Sequence, residues 1–255
     1  MGIWITGDIH GNPIRLSSQN FYEQKEFDGE PKNNTVIQLG DFGLVWEEQE
    51  SKSEKYHLDW LNEKPFTTVF IDGNHENFSR LETYPVKEWN GGLVNKIRPN
   101  VLRLRRGEIY EIGGNKFFAF GGASSHDISD GILDSNDPDW RRKAKELDKQ
   151  GKYMFRVKGL SWWEEELPNE KEMENGRKNL EKNHYKVDFI LTHSPSASVI
   201  ALLRHGLYQQ DRLTKYLEEL RQKTEFKKWF MGHMHTNGAM NDKDILLYEQ
   251  IIQIN

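Results

Sequence analysis

The chain has 255 residues with a formal net charge of −5, and 36% of its residues are hydrophobic. This length suits one large domain, and the acidic balance disfavours extended nucleic acid as a partner. Because cysteine is absent, disulfides, thiolate zinc sites and cysteine nucleophiles are excluded. No apolar run approaches the ~20 residues that span a bilayer, and the start lacks a secretory signal. We therefore expect one cytoplasmic domain over residues 1–255, with no membrane partner.

The first part of the chain alternates short apolar strands with helical segments. Strands are predicted at residues 3–6, 36–39 and 69–71. A helix is predicted to follow Asn12 and Pro13, and another covers residues 54–64, where apolar side chains fall partly on one face. Alternation of this kind is typical of a sheet that contains parallel strands.

The middle of the chain changes to consecutive strands. Residues 109–112 and 116–120 flank the turn Gly113-Gly114-Asn115, which predicts a hairpin. Just before it, residues 101–105 alternate, and Arg103, Arg105 and Arg106 are interpreted as the exposed face of a strand. Residues 187–255 return to the alternating order, with a predicted strand at 245–248 and an apolar tail at 251–254. Alternation at both ends with hairpins between them predicts an α/β domain with mixed sheets.

Residues 125–186 differ from the rest in character. Asp137 and Pro138 are typical of a helix start, and the helix that they predict runs to Lys149 with mostly charged residues. Residues 168–183 predict a second charged helix, and neither helix offers a wide apolar stripe. We interpret this segment, called the excursion below, as a cap-like insertion in a single domain.

Five predicted strands end in turns that carry Asp, Asn or His. The turns are Gly7-Asp8-Ile9-His10-Gly11, Gly40-Asp41, Gly73-Asn74-His75-Glu76, Thr192-His193-Ser194 and Gly232-His233-Met234-His235. Strand ends that converge on one edge of a sheet can surround a single point. Carboxylate, imidazole and amide ligands suit divalent manganese, iron or zinc. Five of the nine histidines fall in these turns, whereas His57, His184 and His205 are predicted to lie on the surface.

These motifs, in this order, resemble the calcineurin-like metallophosphoesterases over roughly residues 3–122 and 187–250. The resemblance implies a four-layer α/β/β/α sandwich with two mixed sheets and two divalent metal ions, bridged by one aspartate and by a water or hydroxide. By this match Asp8, His10 and His235 would hold the first ion, Asn74, His193 and His233 the second, and Asp41 both. Manganese is the expected ion, with iron, zinc or nickel as alternatives.

His75 follows a ligand position, and the resemblance implies that it protonates or stabilises the leaving oxygen while the bridging hydroxide attacks phosphorus. Alternatively, His75 only orients Asp41 or another group behind the ligands. Glu76 is interpreted as a structural residue and not as a ligand. His75 and Asp41 are therefore the candidate catalytic residues.

The second motif departs from one branch of the family. Protein serine/threonine phosphatases and bacterial diadenosine tetraphosphatases carry Gly-Asp-x-Val-Asp-Arg-Gly there, but the arginine is missing from residues 40–46 of this chain. Residues 121–127 and 156–164 instead resemble uncharacterised bacterial metallophosphoesterases, in which a Gly-Gly-Ala-x-Ser turn precedes an Arg and a Trp-Trp pair. Arg156 and His126 are thus candidates for substrate binding, although Arg156 could equally form a salt bridge with nearby glutamates. Trp162 and Trp163 could stack a nucleobase or anchor the excursion.

The leading hypothesis is a metal-dependent hydrolase that acts on a small phosphorylated substrate or nucleotide. A second hypothesis is a phosphodiesterase or nuclease, which uses the same metals on a diester. A third is a metal-binding scaffold without turnover, which predicts that a ligand position or His75 is replaced. All of these positions are intact in the sequence, which favours an enzyme. The sequence does not indicate an oligomeric state.

Overall fold

The structure is a computed structural model that describes residues 2–203 and 210–254. Its strands are β1 (Gly2–Thr6), β2 (Asn34–Leu39), β3 (Thr67–Ile71), β4 (Val86–Trp89), β5 (Gly92–Arg98), β6 (Val101–Leu104), β7 (Glu108–Ile112), β8 (Asn115–Phe120), β9 (Gly131–Asp134), β10 (Phe155–Lys158), β11 (Phe189–Thr192), β12 (Lys228–Met231), β13 (Gly238–Ala239), β14 (Asp244–Leu246) and β15 (Ile251–Ile254). Its α-helices are α1 (Lys52–Asn62), α2 (Phe78–Leu81), α3 (Trp140–Lys149), α4 (Glu170–Lys182), α5 (Ala197–Leu203) and α6 (Arg212–Lys223). Short 3₁₀ helices cover Pro13–Leu16, Tyr22–Glu26, Pro31–Asn33 and Glu164–Glu166. His205 lies outside the described residues, so its surface position stays a prediction.

Two mixed sheets form the centre of the described structure. The first contains seven strands in the order β15-β1-β2-β3-β6-β5-β4, and the second contains six in the order β13-β14-β12-β11-β8-β7. β1, β2, β3 and β6 run parallel, as do β8, β11, β12 and β14. The strands at the sheet edges pair antiparallel with their neighbours. A separate parallel ribbon joins β9 and β10.

The alternation of side chains along the strands produces the layers. Ile3 and Ile5 of β1 belong to a buried cluster that also contains Phe117 of β8, so this cluster lies between the two sheets. Trp4 points the other way and packs in a cluster with Leu58 of α1. A third cluster combines the outer face of the second sheet with residues of α4, α5 and α6. The predicted α/β/β/α sandwich with two mixed sheets is therefore confirmed.

Two predicted helix boundaries differ from the structure. After Asn12 the chain makes only the short 3₁₀ helix Pro13–Leu16, where the Asn12 side chain accepts the Ile14 N–H. The helix predicted over residues 54–64 forms two residues earlier, because Ser51 and Glu54 make a capping box that fixes its start. The predicted hairpin at Gly113 and Gly114 joins β7 and β8 as expected.

The interpretation of Arg103 and Arg106 as exposed was wrong. Both side chains are buried, and both donate to the buried carboxylate of Asp72 at the end of β3, over 3.0 and 2.8 Å. Arg105 is the more exposed member of the three and pairs with Glu82. A buried carboxylate that is shared by two guanidinium groups is held in one orientation, so this cluster fixes the chain just before Gly73 and Asn74.

The excursion has two parts that pack differently. Helix α3 has no buried residue, whereas α4 buries Met173 and Leu180 against the second sheet, in the third cluster. Helix α4 therefore contributes to the outer helical layer, which its charged sequence did not predict. The assignment of one domain with an insertion near 125–186 stays a prediction. Within the described part of the chain, none of the helices has the length and apolar character required to span a membrane.

Candidate metal centre

The motif residues meet because neighbouring strands run parallel. β1, β2 and β3 lie side by side and end at the same edge, where the turns that follow carry Asp8, Asp41 and Asn74. In the second sheet β11 and β12 are parallel neighbours, and they deliver His193 and His233. The carboxyl ends of parallel neighbouring strands lie at the same edge of a sheet, which is why the sequence predicts that these turns converge.

Two groups of side chains in the described structure are close enough to hold a cation. Asp8, His10, Asp41 and His235 form the first group, and Asp41, His193 and His233 form the second; within each group the ligand atoms lie within 4.8 Å of one another. His10 Nε2 is 3.0 Å from His235 Nε2, and His235 Nε2 is 3.3 Å from Asp8 Oδ2. Asp41 is thus common to both groups.

Asn74 lies beside the second group with its amide already oriented. Its Nδ2 donates to Ser125 Oγ over 3.4 Å, and the Ser125 hydroxyl donates to Glu166 over 2.6 Å. This arrangement leaves the buried Asn74 Oδ1 without a hydrogen bond from any described residue. A buried acceptor in that state is costly, and a metal ion would satisfy it. Sequence reasoning missed Ser125 and Glu166, although Ser125 lies in a segment that carries the second resemblance and Glu166 follows the other by two residues.

The surroundings of His193 also favour a positive charge. Its Nδ1 lies 2.6 Å from the Leu39 carbonyl, so the ring can donate there, while Nε2 lies 3.3 Å from Asp41 Oδ1. Burial opposes a charged imidazole, but Asp41 and Asp8 outweigh burial and raise the pKa of His193 to about 9. The carboxylates therefore stabilise positive charge where a metal ion would bind.

The ligand turns adopt an uncommon backbone conformation. His10, Asp41, His233 and His235 have positive φ angles of 45°, 49°, 65° and 47°. For residues other than glycine this left-handed region is sparsely populated and is concentrated at functional sites. Gly73 is required at its position, because an added Cβ would collide with Asp41 and with the His193 ring.

His75 lies beside the candidate ligands but belongs to neither group of the described structure. Its backbone N–H donates to Asp41 Oδ1 over 2.8 Å, and its Nε2 is 3.2 Å from Arg156 Nη2. Burial lowers the pKa of His75; Asp41 opposes this effect, and Arg156 adds to it. Glu76 turns inward and accepts the Phe42 N–H over 2.7 Å, and burial together with Asp41 raises the pKa of Glu76 to about 8.

Arg156 is buried and largely occupied by protein partners. It donates to both oxygens of Asp127, over 2.6 and 2.7 Å, to the Ser161 carbonyl over 2.8 Å, and to His75. A guanidinium has five N–H groups, so these four contacts leave one for any substrate. The carboxylate that pairs with Arg156 is Asp127, 29 residues away, and not one of the nearby glutamates that the sequence suggested.

His126 lies at the mouth of the site. It is exposed, and its ring stacks on His233 with centroids 4.5 Å apart. Both rings line a cavity of about 280 Å³ together with Asp41, Asn74 and Arg156. This position permits contact with a bound substrate, and the role itself stays a prediction.

Trp163 anchors the excursion. It is buried, and its ring packs edge-on against Trp46 with centroids 5.4 Å apart. Trp46 in turn lies 6.0 Å from the His75 ring, with the two rings close to parallel. Between the two functions that the sequence left open for Trp163, packing is the one that its contacts support.

Comparisons with known proteins identify a family. A family profile described as calcineurin-like phosphoesterase matches residues 1–237. A search of curated proteins returns no match. Among solved structures, a phosphopantetheinyl hydrolase from Mycobacterium tuberculosis is 11% identical, with 97% of this chain and 88% of that chain covered and a TM-score of 0.44.

Proposed function

This chain belongs to the calcineurin-like phosphoesterase family, and we propose that it is a metal-dependent hydrolase of phosphate esters. The observation that carries the proposal is Asp41, which contributes to both groups of candidate ligand atoms. A shared carboxylate suits two cations that act on one phosphate. The unsatisfied Asn74 Oδ1 supports an oxygen ligand beside the second group.

The proposed ligand sets follow these groups. Asp8, His10 and His235 hold one divalent ion together with Asp41, and Asn74, His193 and His233 hold the other together with the same carboxylate. Bound ions of this kind supply Lewis acidity, which lowers the pKa of water and neutralises charge on phosphate oxygens. Oxygen and imidazole donors without sulfur suit manganese, iron, zinc and nickel, and manganese is the ion that we propose.

His75 is the residue proposed to assist the leaving oxygen. The hydrogen bond from Arg156 supports this role, because it fixes the ring and places the proton of the neutral imidazole on Nδ1. Asp127 holds the guanidinium from its other side. Arg156 is therefore proposed as a positioning residue for His75, and His126 remains the proposed substrate contact at the mouth.

The first experiment compares p-nitrophenyl phosphate with its bis-ester, using the manganese-loaded protein. We expect hydrolysis of the monoester and two ions per chain by elemental analysis. An Asp41→Asn protein purified in the same way controls for contaminating phosphatases.

Each alternative has its own outcome in this experiment. Faster hydrolysis of the bis-ester would make the protein a phosphodiesterase. Two bound ions without hydrolysis of either ester, or of a panel of nucleotides, would reject the enzyme in favour of a scaffold. No more than trace metal after reconstitution would overturn the proposed centre.

A further inference from the structure

His75 lines two cavities. The first is the cavity of about 280 Å³ that also touches Asp41 and Asn74. The second has a volume of about 360 Å³ and extends from His10 and His75 to Trp46 and beyond. Because His75 borders both, an ester whose phosphoryl group lies among the candidate ligands can place its alcohol portion in the second cavity.

The walls of the second cavity combine aromatic and apolar surface with acidic groups, two serines and the His57 imidazole. Leu44 and Trp46 supply the apolar surface, and Gly43 brings bare backbone to the wall. Glu47 is exposed at this cavity, whereas the carboxylate of Glu54 is paired with Arg80 at 3.0 Å. Neither lysine nor arginine lines it among the described residues. A second phosphate on the alcohol would therefore meet the Glu47 carboxylate without a lysine or arginine to compensate it.

Trp46 is fixed before any ligand arrives. Its backbone N–H donates to Glu54 over 2.6 Å, and its backbone carbonyl accepts from Asn77 Nδ2 over 2.9 Å. Its ring rests against Trp163 and next to His75. Because the Trp46 ring is already ordered, the protein loses little conformational entropy when a flat group stacks on it. This wall therefore favours aromatic ligands.

From these observations we propose that the second cavity binds the alcohol portion of the ester. It selects an uncharged aromatic group, such as an aryl or nucleoside group, over an alcohol that carries another phosphate. The placement of the ester rests on the proposed function. The test measures binding instead of turnover, so a failure of this inference and a failure of the proposed function give different results.

The aromatic preference is tested by calorimetric titration of the manganese-loaded protein with benzylphosphonate and methylphosphonate. Wild type should bind benzylphosphonate about three- to tenfold more tightly. Trp46→Ala should bring the ratio of these two affinities close to one, whereas Trp46→Phe should keep most of the wild-type ratio. Trp140→Ala, on the exposed helix α3, is the matched control and should leave the ratio unchanged.

Equal affinities in wild type, or a ratio that survives Trp46→Ala, would overturn the aromatic site. If the protein binds benzylphosphonate selectively but hydrolyses no ester, the aromatic site is supported and the proposed function is rejected. Thermal midpoints of the two Trp46 variants check that loss of packing on Trp163 has not unfolded the loop. If Trp46→Ala unfolds, the ratio in Trp46→Phe and the charge test decide.

The charge selection is tested with propane-1,3-diyldiphosphonate and propylphosphonate. Glu47→Lys should tighten the diphosphonate at least about threefold relative to propylphosphonate. Glu48→Lys, at an exposed neighbour that does not line the cavity, controls for the change in net charge. An equal gain in both variants, or no gain in either, would overturn the charge selection.

Discussion

The turns at the strand ends and the excursion hold their residues in different ways. The ligand turns follow directly from strands whose parallel register is set by the sheet, so Asp8 and Asp41 are placed by local chain direction. Residues of the excursion are instead held by contacts over long sequence distances, such as Ser125 with Glu166, 41 residues apart. The ligands of such a site are therefore placed by the strands that precede them, whereas the residues that orient the ligands depend on tertiary packing.

The excursion is also divided within itself. Helix α3 has no buried residue, whereas Arg156, Trp163 and Glu166 are buried around Asn74 and His75. The parts of the excursion before and after α3 thus support the site, whereas the exposed helix α3 buries none of its residues. Four changes to the chain test whether the strand-end turns and the excursion contribute to the site in these different ways.

The largest effect is expected for Asp41→Asn in the strand-end region. Activity should fall more than about 10²-fold, beyond the usual cost of residues behind the ligands, because both ligand groups lose a charge. Asn74→Ala and Glu76→Gln should cost less. Rates with p-nitrophenyl phosphate and metal content by elemental analysis check the order. Near-wild-type turnover with both ions retained would remove the two-ion mechanism.

His75→Ala should separate chemistry from assembly. The value of kcat should fall on the order of 10²-fold, as expected for a positioned acid or hydrogen-bond donor, while metal content stays close to normal. Steady-state kinetics and elemental analysis on the same preparation measure both quantities. Loss of the ions would assign His75 to the ligand set instead.

Arg156→Met tests whether the excursion acts through His75. We expect about a tenfold loss of kcat with phenyl phosphate, whose leaving group needs assistance, and a smaller loss with p-nitrophenyl phosphate. In a His75→Ala background the same change should add no further loss. Metal content should not change, whereas the thermal midpoint should fall slightly because the partners of the buried guanidinium lose their hydrogen bonds.

The matched control for Arg156 is Arg142→Met. Arg142 is likewise an arginine held by acidic side chains, here Asp139 and Glu146, but it lies on the exposed helix α3. It should behave as wild type with both substrates. A rise in KM alone for Arg156→Met, equal for the two esters, would identify that arginine as a phosphate ligand.

The smallest effect is expected when a short Gly/Ser linker replaces residues 132–153. This part buries little, and Asp130 N already donates to the Met154 carbonyl over 2.7 Å. Metal content should be retained and kcat for p-nitrophenyl phosphate should stay within about twofold, with changed preference confined to larger esters. An insoluble or unfolded product would show that α3 belongs to the core.

The fold and the convergence of the motif turns could be predicted because both depend on local pattern. Short apolar strands ending in Asp, Asn or His are visible in the sequence, and parallel neighbours bring their ends together. Six of the seven predicted ligands of this chain lie in two groups that share Asp41, and Asn74 lies beside the second group.

The remaining features could not be read from pattern, because each depends on a distant partner. Arg103 alternates like a surface residue, but Asp72, 31 residues away, neutralises it in the interior. Asp127 reaches Arg156 because the chain between them returns to its starting point, where Asp130 and Met154 are hydrogen-bonded and β9 pairs with β10. Helix α4 appears polar, but its small residue Gly176 lets the helix approach Gly107 closely. That contact could be predicted only if the position of the neighbouring loop were known.

The meeting of Asp130 and Met154 has a consequence for engineering. The chain leaves the domain and returns to it at these two residues, which two hydrogen bonds join next to the Asp127–Arg156 pair. A receptor domain with adjacent termini, inserted in place of α3, would transmit any change in the separation of its termini to Arg156. We expect such a chimera to convert binding of the receptor's ligand into a change in hydrolysis rate, measurable with phenyl phosphate as a sensor signal.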